Sequence, residues 1–89
     1  MRTILEAEII AIKGATEAGI VHGGGYSVMS AFTRVNVPAL SKYASVTRVI
    51  DPGGQSRLEH GDKVVPLDIA IEIDRRAQHP WIVGEAARL

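Results

Sequence analysis

The chain has 89 residues, with ten basic and ten acidic side chains and therefore no formal net charge. This length permits a single domain, residues 1–89, with one modest core. Because it has no cysteine, the chain cannot form disulfides, use a thiol nucleophile or build the commonest structural zinc sites. With one Trp, two Tyr and one Phe, the core must be mainly aliphatic.

Targeting signals are not evident in the sequence. No apolar run approaches the roughly 20 residues that span a bilayer. The first residues also lack a secretory cleavage pattern. We therefore expect a cytoplasmic protein with no membrane partner.

The first predicted element is a helix from Thr3 to about Gly19. Apolar residues recur along it at helical spacing, and Thr3 with Glu6 matches a capping box. Glycines 23–25 follow. They lack the Lys-Ser/Thr of a phosphate-binding loop, so we expect a flexible joint between helices.

Residues 26–45 have the pattern of two short helices joined by a tight turn. The first helix is expected over Tyr26 to Thr33, with Met29 and Phe32 facing inward. In a helix-turn-helix motif, the second helix of such a pair enters the DNA major groove. This segment therefore predicts a DNA-binding motif.

The second helix of the pair begins after Asn36, an N-cap residue, and has Pro38 near its first position. Leu40 and Tyr43 lie three residues apart and are expected to face inward, with Val37 behind them. The outward face then carries Ser41 and Lys42.

Residues 46–58 are consistent either with a β-hairpin wing or with an irregular loop that extends to 63. Residues 46–50 are rich in β-branched side chains, and Asp-Pro-Gly-Gly at 51–54 suits a turn.

Beyond this segment, apolar residues alternate as in a β-strand between Leu67 and Ile73. Pro66 at the start and charges that suit a helix dipole nevertheless favour helices over about 66–78 and 81–89. The last helical pattern has not ended at Leu89, so we expect it to be incomplete.

The sequence therefore predicts a mainly α fold, a helix-turn-helix bundle of four to five short helices. Charged residues are distributed unevenly along the chain. Between residues 22 and 57 there are four basic side chains against one acidic, whereas both flanks are acidic on balance. A neutral chain argues against nucleic acid, but a basic middle segment favours a DNA-facing surface.

The segments Arg-Val-Asn-Val-Pro-Ala-Leu-Ser-Lys-Tyr at 34–43, Val-Pro-Leu-Asp-Ile-Ala at 65–70 and His-Pro-Trp-Ile-Val at 79–83 resemble a group of small helix-turn-helix proteins. These are the phage-regulator-like proteins of the CII or Cro-like class. The resemblance covers roughly residues 20–89. It implies a helical fold, binding of double-stranded DNA without a cofactor, and a homodimer on paired half-sites.

Three features depart from the family pattern. Asn36 replaces the usual Ser, Arg34 stands where many such turns have Gly, and residues 46–62 are longer and more β-like than the family loop. Asn36 can still cap the helix. Arg34 puts the tightness of the turn in question, and the longer segment 46–62 leaves it undecided whether a β-hairpin wing is present.

The predicted function is a sequence-specific transcriptional regulator of the nucleoid, not an enzyme, with neither metal nor cofactor. The candidate base contacts are Asn36, Pro38, Ser41 and Lys42. The candidate phosphate contacts are Tyr26, Thr33, Arg34, Arg48 and Arg57.

Two other functions compete with this prediction. An antitoxin-like or polymerase-binding adaptor would use the apolar region 67–81, with RNA polymerase or another regulator as its partner. A hydrolase would use His22, His60 or His79, but neither a nucleophile nor a metal-ligand spacing accompanies these histidines.

Overall fold

The helical periodicity of the sequence is realised in five helices over the described residues, 6–89, of a computed structural model. A two-stranded antiparallel hairpin separates the third helix from the fourth. The elements in chain order are α1 (Glu6–His22), α2 (Tyr26–Thr33), α3 (Val37–Ala44), β1 (Arg48–Ile50), β2 (Ser56–Leu58), α4 (Leu67–Ala77) and α5 (Trp81–Arg88). The predicted mainly α fold is confirmed, and the segment after α3 contains a hairpin. The predicted capping box lies partly outside the described residues, which begin after Thr3.

Helix α1 contacts each of the other four helices. Gly19 is buried on its inner face, where an added Cβ would lie only 2.8 Å from Cγ2 of Ile73 in α4. Glycine at this position therefore allows α1 and α4 to approach closely. The expectation that Gly19 ends the helix is wrong, because α1 continues to His22.

Aliphatic side chains and one methionine form the core, as the composition predicts. The buried cluster consists of Ile20, Met29, Leu40, Ala44, Val65, Ala70, Ile73 and Ile82. Two residues that were expected to face inward are exposed, namely Phe32, at 45%, and Val37. The buried face of α2 is centred on Met29 and Thr33, which leaves Phe32 at its edge, 5.8 Å from the guanidinium carbon of Arg76.

The three glycines after α1, where we expected a joint between helices, form a hydrogen-bonded helix end. The amide of Gly23 donates to the carbonyl of Gly19, and that of Gly25 donates to Ile20. Gly24 and Gly25 have φ values of 118° and 98°, which side chains disfavour. The triplet therefore sets the direction in which α2 leaves α1.

Residues 67–77 form a helix despite their strand-like alternation. Ala70 and Ile73 are buried at helical spacing, and the charges of the first and last turns, Asp68 and Arg75–Arg76, complement the helix dipole. Gln78 ends the helix in the left-handed conformation.

The N-terminus of α5 is held by a buried carboxylate. Asp74 of α4 accepts hydrogen bonds from the amides of Ile82, at 2.9 Å, and Val83, at 2.8 Å. The first amides of a helix have no partner within it, and they form the positive end of its dipole. Asp74 therefore joins α4 to α5.

Trp81, at the start of α5, contacts two histidines. Its ring stacks on that of His22 at the end of α1, with centroids 4.8 Å apart and planes 20° apart. The ring of His79 lies 4.4 Å away at 53°. These contacts join the end of α1 to the start of α5.

The hairpin is closed by the Asp-Pro-Gly-Gly sequence. The amide of Gly54 donates to the carbonyl of Asp51, and the Asp51 carboxylate accepts from the amide of Gln55. In the strands, Arg48 pairs with Leu58, Val49 with Arg57, and Ile50 with Ser56. No helix in the described part of the chain is long and apolar enough to cross a membrane.

We predict that Asp74→Ala lowers the free energy of unfolding by about 1–3 kcal/mol, because two amides of α5 lose their acceptor. Asp68→Ala is the control, since Asp68 is exposed in the first turn of the same helix. It should cost less than about 1 kcal/mol. Urea unfolding followed by circular dichroism measures both, and equal losses would contradict this role for Asp74.

Candidate nucleic-acid interface

The turn between α2 and α3 is tight even though it contains no glycine. Arg34 adopts the left-handed conformation itself, with φ 63° and ψ 17°, and its amide donates to the carbonyl of Ser30. The hydroxyl of Thr33 donates to the carbonyl of Met29 and accepts from the amide of Val35. Arginine therefore takes the conformation for which glycine is usual, and Thr33 holds the turn.

Asn36 caps α3 as predicted. Its Oδ1 accepts from the amide of Ala39 at 2.8 Å, and its side chain remains exposed. Pro38 is the second residue of the helix, where a backbone N–H is not needed. The cap and the proline explain why the helix starts at this point.

The outward face of α3 carries all four predicted base contacts, because Asn36, Pro38, Ser41 and Lys42 are exposed. At 100° per residue, Pro38, Ser41 and Lys42 lie within one third of the helix circumference. Leu40 and Ala44 are buried on the opposite side. The helix thus presents one continuous, largely polar face.

A fully buried ammonium holds the other end of α3. Lys13 of α1 is 0% exposed, and its Nζ donates to the carbonyls of Lys42 at 2.7 Å and Tyr43 at 3.3 Å. A third hydrogen bond, of 2.7 Å, reaches the carbonyl of Lys63. The last carbonyls of a helix lack intrahelical donors and carry its negative partial charge, which an ammonium complements.

Beside the outward face of α3 is a shallow cavity of about 360 Å³. The residues that line it are Asn36, Pro38, Ala39, Lys42, Tyr43 and Lys63. Lys63 belongs to the loop before α4 and was not among the predicted contacts. The structure therefore adds a second lysine to the surface around α3.

The predicted phosphate contacts next to the turn differ in accessibility. Arg34 is exposed, but Thr33 is only 8% exposed and its hydroxyl is used within the turn. Tyr26 packs against the core, and burial together with the nearby Glu17 carboxylate raises its pKa. Thr33 is thus unsuited to binding phosphate because it is buried, and Tyr26 is half-buried.

The two hairpin arginines lie on opposite faces of the hairpin. Arg57 pairs with Val49, the neighbour of Arg48, and successive residues of a strand point to opposite faces. Arg48 shares a face with the buried Leu58, and it forms an ion pair with Glu6 of α1 and a hydrogen bond with Ser56. Arg57 lies on the other face with Val49 and is exposed. Arg48 therefore anchors the hairpin to α1, and Arg57 is the hairpin arginine that remains available to a phosphate.

Lys13 and Lys63 were missed, and only Lys13 has a sequence signal that could have indicated it. Lys13 interrupts the apolar stripe of α1 at a position on the buried face, next to Ile12 and three residues before Thr16. A lysine at such a position indicates a buried partner but does not identify it. The place of Lys63 depends on how the loop returns to α3, which no local pattern encodes.

Comparisons of this chain with protein-family models, curated proteins and solved structures give no match. The resemblance to phage-regulator-like proteins therefore rests on the residues quoted above and stays a prediction.

We predict that Lys13→Met destabilises the fold by about 1–3 kcal/mol, because the carbonyls it satisfies lose a buried donor. Lys42→Met makes the same chemical change at an exposed position of α3 and should have little effect on stability. Urea unfolding of the two variants measures the difference. Equal stability of the two variants would show that the three hydrogen bonds do not hold α3.

The stability contributed by Lys13 should also depend on pH. Burial lowers its pKa from 10.5, and Asp62 partly offsets this effect. Between the lowered pKa and 10.5, the unfolded chain binds a proton that the folded protein has released. Raising the pH through this window should therefore stabilise the wild type relative to Lys13→Met, and below it the difference should be constant. Unfolding free energies of both proteins between about pH 8 and pH 11 check the sign.

Proposed function

We propose that this protein is a sequence-specific regulator of transcription that binds double-stranded DNA with α3 in the major groove. The observation that carries the proposal is the outward face of α3. It exposes a cap amide, a hydroxyl and an ammonium on a helix whose two ends are both fixed. A preorganised helix of this kind is what direct readout of base edges requires.

The chemistry of this face favours particular bases. The Lys42 ammonium is a donor suited to O6 and N7 of guanine. Asn36 uses one acceptor position of its Oδ1 for the cap, so its amide N–H groups are the donors left for N7 of a purine. Arg34 and Arg57 are exposed predicted phosphate contacts that form no ion pair within residues 6–89, whereas Arg48 pairs with Glu6, and these two would set the register of α3 on the duplex.

We propose that the protein binds DNA as a homodimer, which the short length of α3 favours. An eight-residue helix is about 12 Å long, so one copy reads only a short half-site. Two copies would read half-sites about 34 Å apart, one turn of the double helix. Such a regulator would act at the nucleoid, in the cytoplasm.

The surface of α4 favours a second candidate function, that of a protein-interaction adaptor. Leu67 is 70% exposed and Ile71 is 40% exposed, one helical turn apart. Exposed apolar pairs of this kind suit a protein partner, such as another regulator or RNA polymerase. The same pair would also serve the dimer of the first proposal.

Selection of bound fragments from a random pool of duplex DNA, followed by salt titration on the enriched duplex, tests the proposal. We expect a defined sequence to be enriched and its affinity to fall steeply as salt rises. Absence of binding at low salt, or binding insensitive to salt, would overturn the proposal in favour of the adaptor.

We predict that Lys42→Ala reduces discrimination between the enriched duplex and an unrelated one by about 1–3 kcal/mol, because a base contact is lost. Arg75→Ala is the control. It removes one positive charge from an exposed position of α4, a helix that does not contact α3. Fluorescence anisotropy with both duplexes measures the ratio of dissociation constants. If both variants change that ratio equally, Lys42 does not read bases.

A further inference from the structure

We infer that Lys63 is a further DNA-contacting residue, which binds a backbone phosphate at the edge of the groove that α3 enters. The inference rests on the proposed function. It assigns Lys63 a role that no sequence motif indicated.

The backbones of Lys42 and Lys63 are held side by side by one buried atom. Nζ of Lys13 lies 2.7 Å from the carbonyl oxygen of Lys42 and 2.7 Å from that of Lys63. The amide of Lys63 also donates to the carbonyl of His60, at 3.0 Å, which closes the loop into a turn. The two lysines are distant in sequence, yet the buried ammonium sets the spacing between their backbones.

Both side chains reach the same open surface. Lys42 is exposed on α3, Lys63 is exposed on the loop, and both line the cavity beside Asn36. Within residues 6–89, no carboxylate lines this cavity or forms an ion pair with either lysine. Two exposed acidic residues lie in the same loop: Glu59 contacts His60, and Asp62, which directly precedes Lys63, partly offsets the effect of burial on the pKa of Lys13.

The different positions of the two lysines suit different contacts. Lys42 lies on the face of α3 that meets the bases, whereas Lys63 lies beside that helix, where the sugar-phosphate backbone borders the groove. An ammonium is a point charge with three donors, which suits a phosphate oxygen and carries no information on sequence. A lysine that is fixed relative to the reading helix therefore sets its register on the duplex.

The test compares Lys63→Gln with Arg75→Gln, which removes an equal charge from α4. Both variants are titrated with the enriched duplex and an unrelated duplex over a range of salt concentrations. For Lys63→Gln we expect affinity for both duplexes to fall by the same factor and the slope of log K against log salt to lose about 0.9, the value for one phosphate contact. Lys63→Arg should keep the wild-type slope, and Arg75→Gln should change it little.

The outcomes separate the inference from the proposed function. If Lys63→Gln keeps the wild-type affinity and slope while Lys42→Ala loses discrimination, the inference is overturned and the function stands. If the wild type binds no duplex at low salt, the function fails and the inference fails with it. Saturable binding of inorganic phosphate at Lys63 at micromolar concentration, followed by NMR chemical shifts, would overturn the assignment to DNA and indicate a site for a free anion.

Discussion

The buried ammonium of Lys13 is the contact on which the arrangement around α3 depends. Removing a charge from water costs several kcal/mol, and here three backbone carbonyls, with a smaller contribution from the Asp62 carboxylate, offset part of that cost. Asp74 has the same role with the opposite charge at the start of α5, where its buried carboxylate accepts hydrogen bonds from backbone amides. Both charges therefore act on helix ends, where the backbone dipole has the complementary sign. Within residues 6–89, the two buried charged residues, Lys13 and Asp74, each bind a helix end and do not pair with each other.

Local chemistry made α2, the turn and α3 predictable. A cap by Asn36 involves atoms only three residues apart, and the apolar spacing of α3 needs no knowledge of the remaining chain. The helix at 67–77 was predictable despite its alternation, because a strand would leave the charges at its two ends without a dipole to complement. The sequence could not distinguish a hairpin from an irregular loop at 46–58, because strands of three residues have little stability until they pair.

The features that were not predicted from the sequence depend on contacts between residues that are far apart in the chain. Lys13 reaches carbonyls 29 to 50 residues away, so its burial depends on the packed helices and not on its neighbours in the chain. The roles of Arg48 and Arg57 diverge because strand register sends them to opposite faces. This register depends on strand pairing and turn geometry. Neither could be predicted from the residue types at 46–58. Phe32 was misplaced because a two-turn helix has a narrow buried face, and one position decides which side chain is left at its edge.

The stack around Trp81 gives the protein an internal optical reporter. The chain has a single tryptophan, so its indole emission comes from one place, the contact between α1 and α5. His22 and His79 both contact the indole ring, so a displacement of α5 would change the surroundings of the indole and with them its emission. Because α5 does not contact α3, a change in emission on adding a ligand at α3 would mean that the two ends of the molecule are mechanically linked.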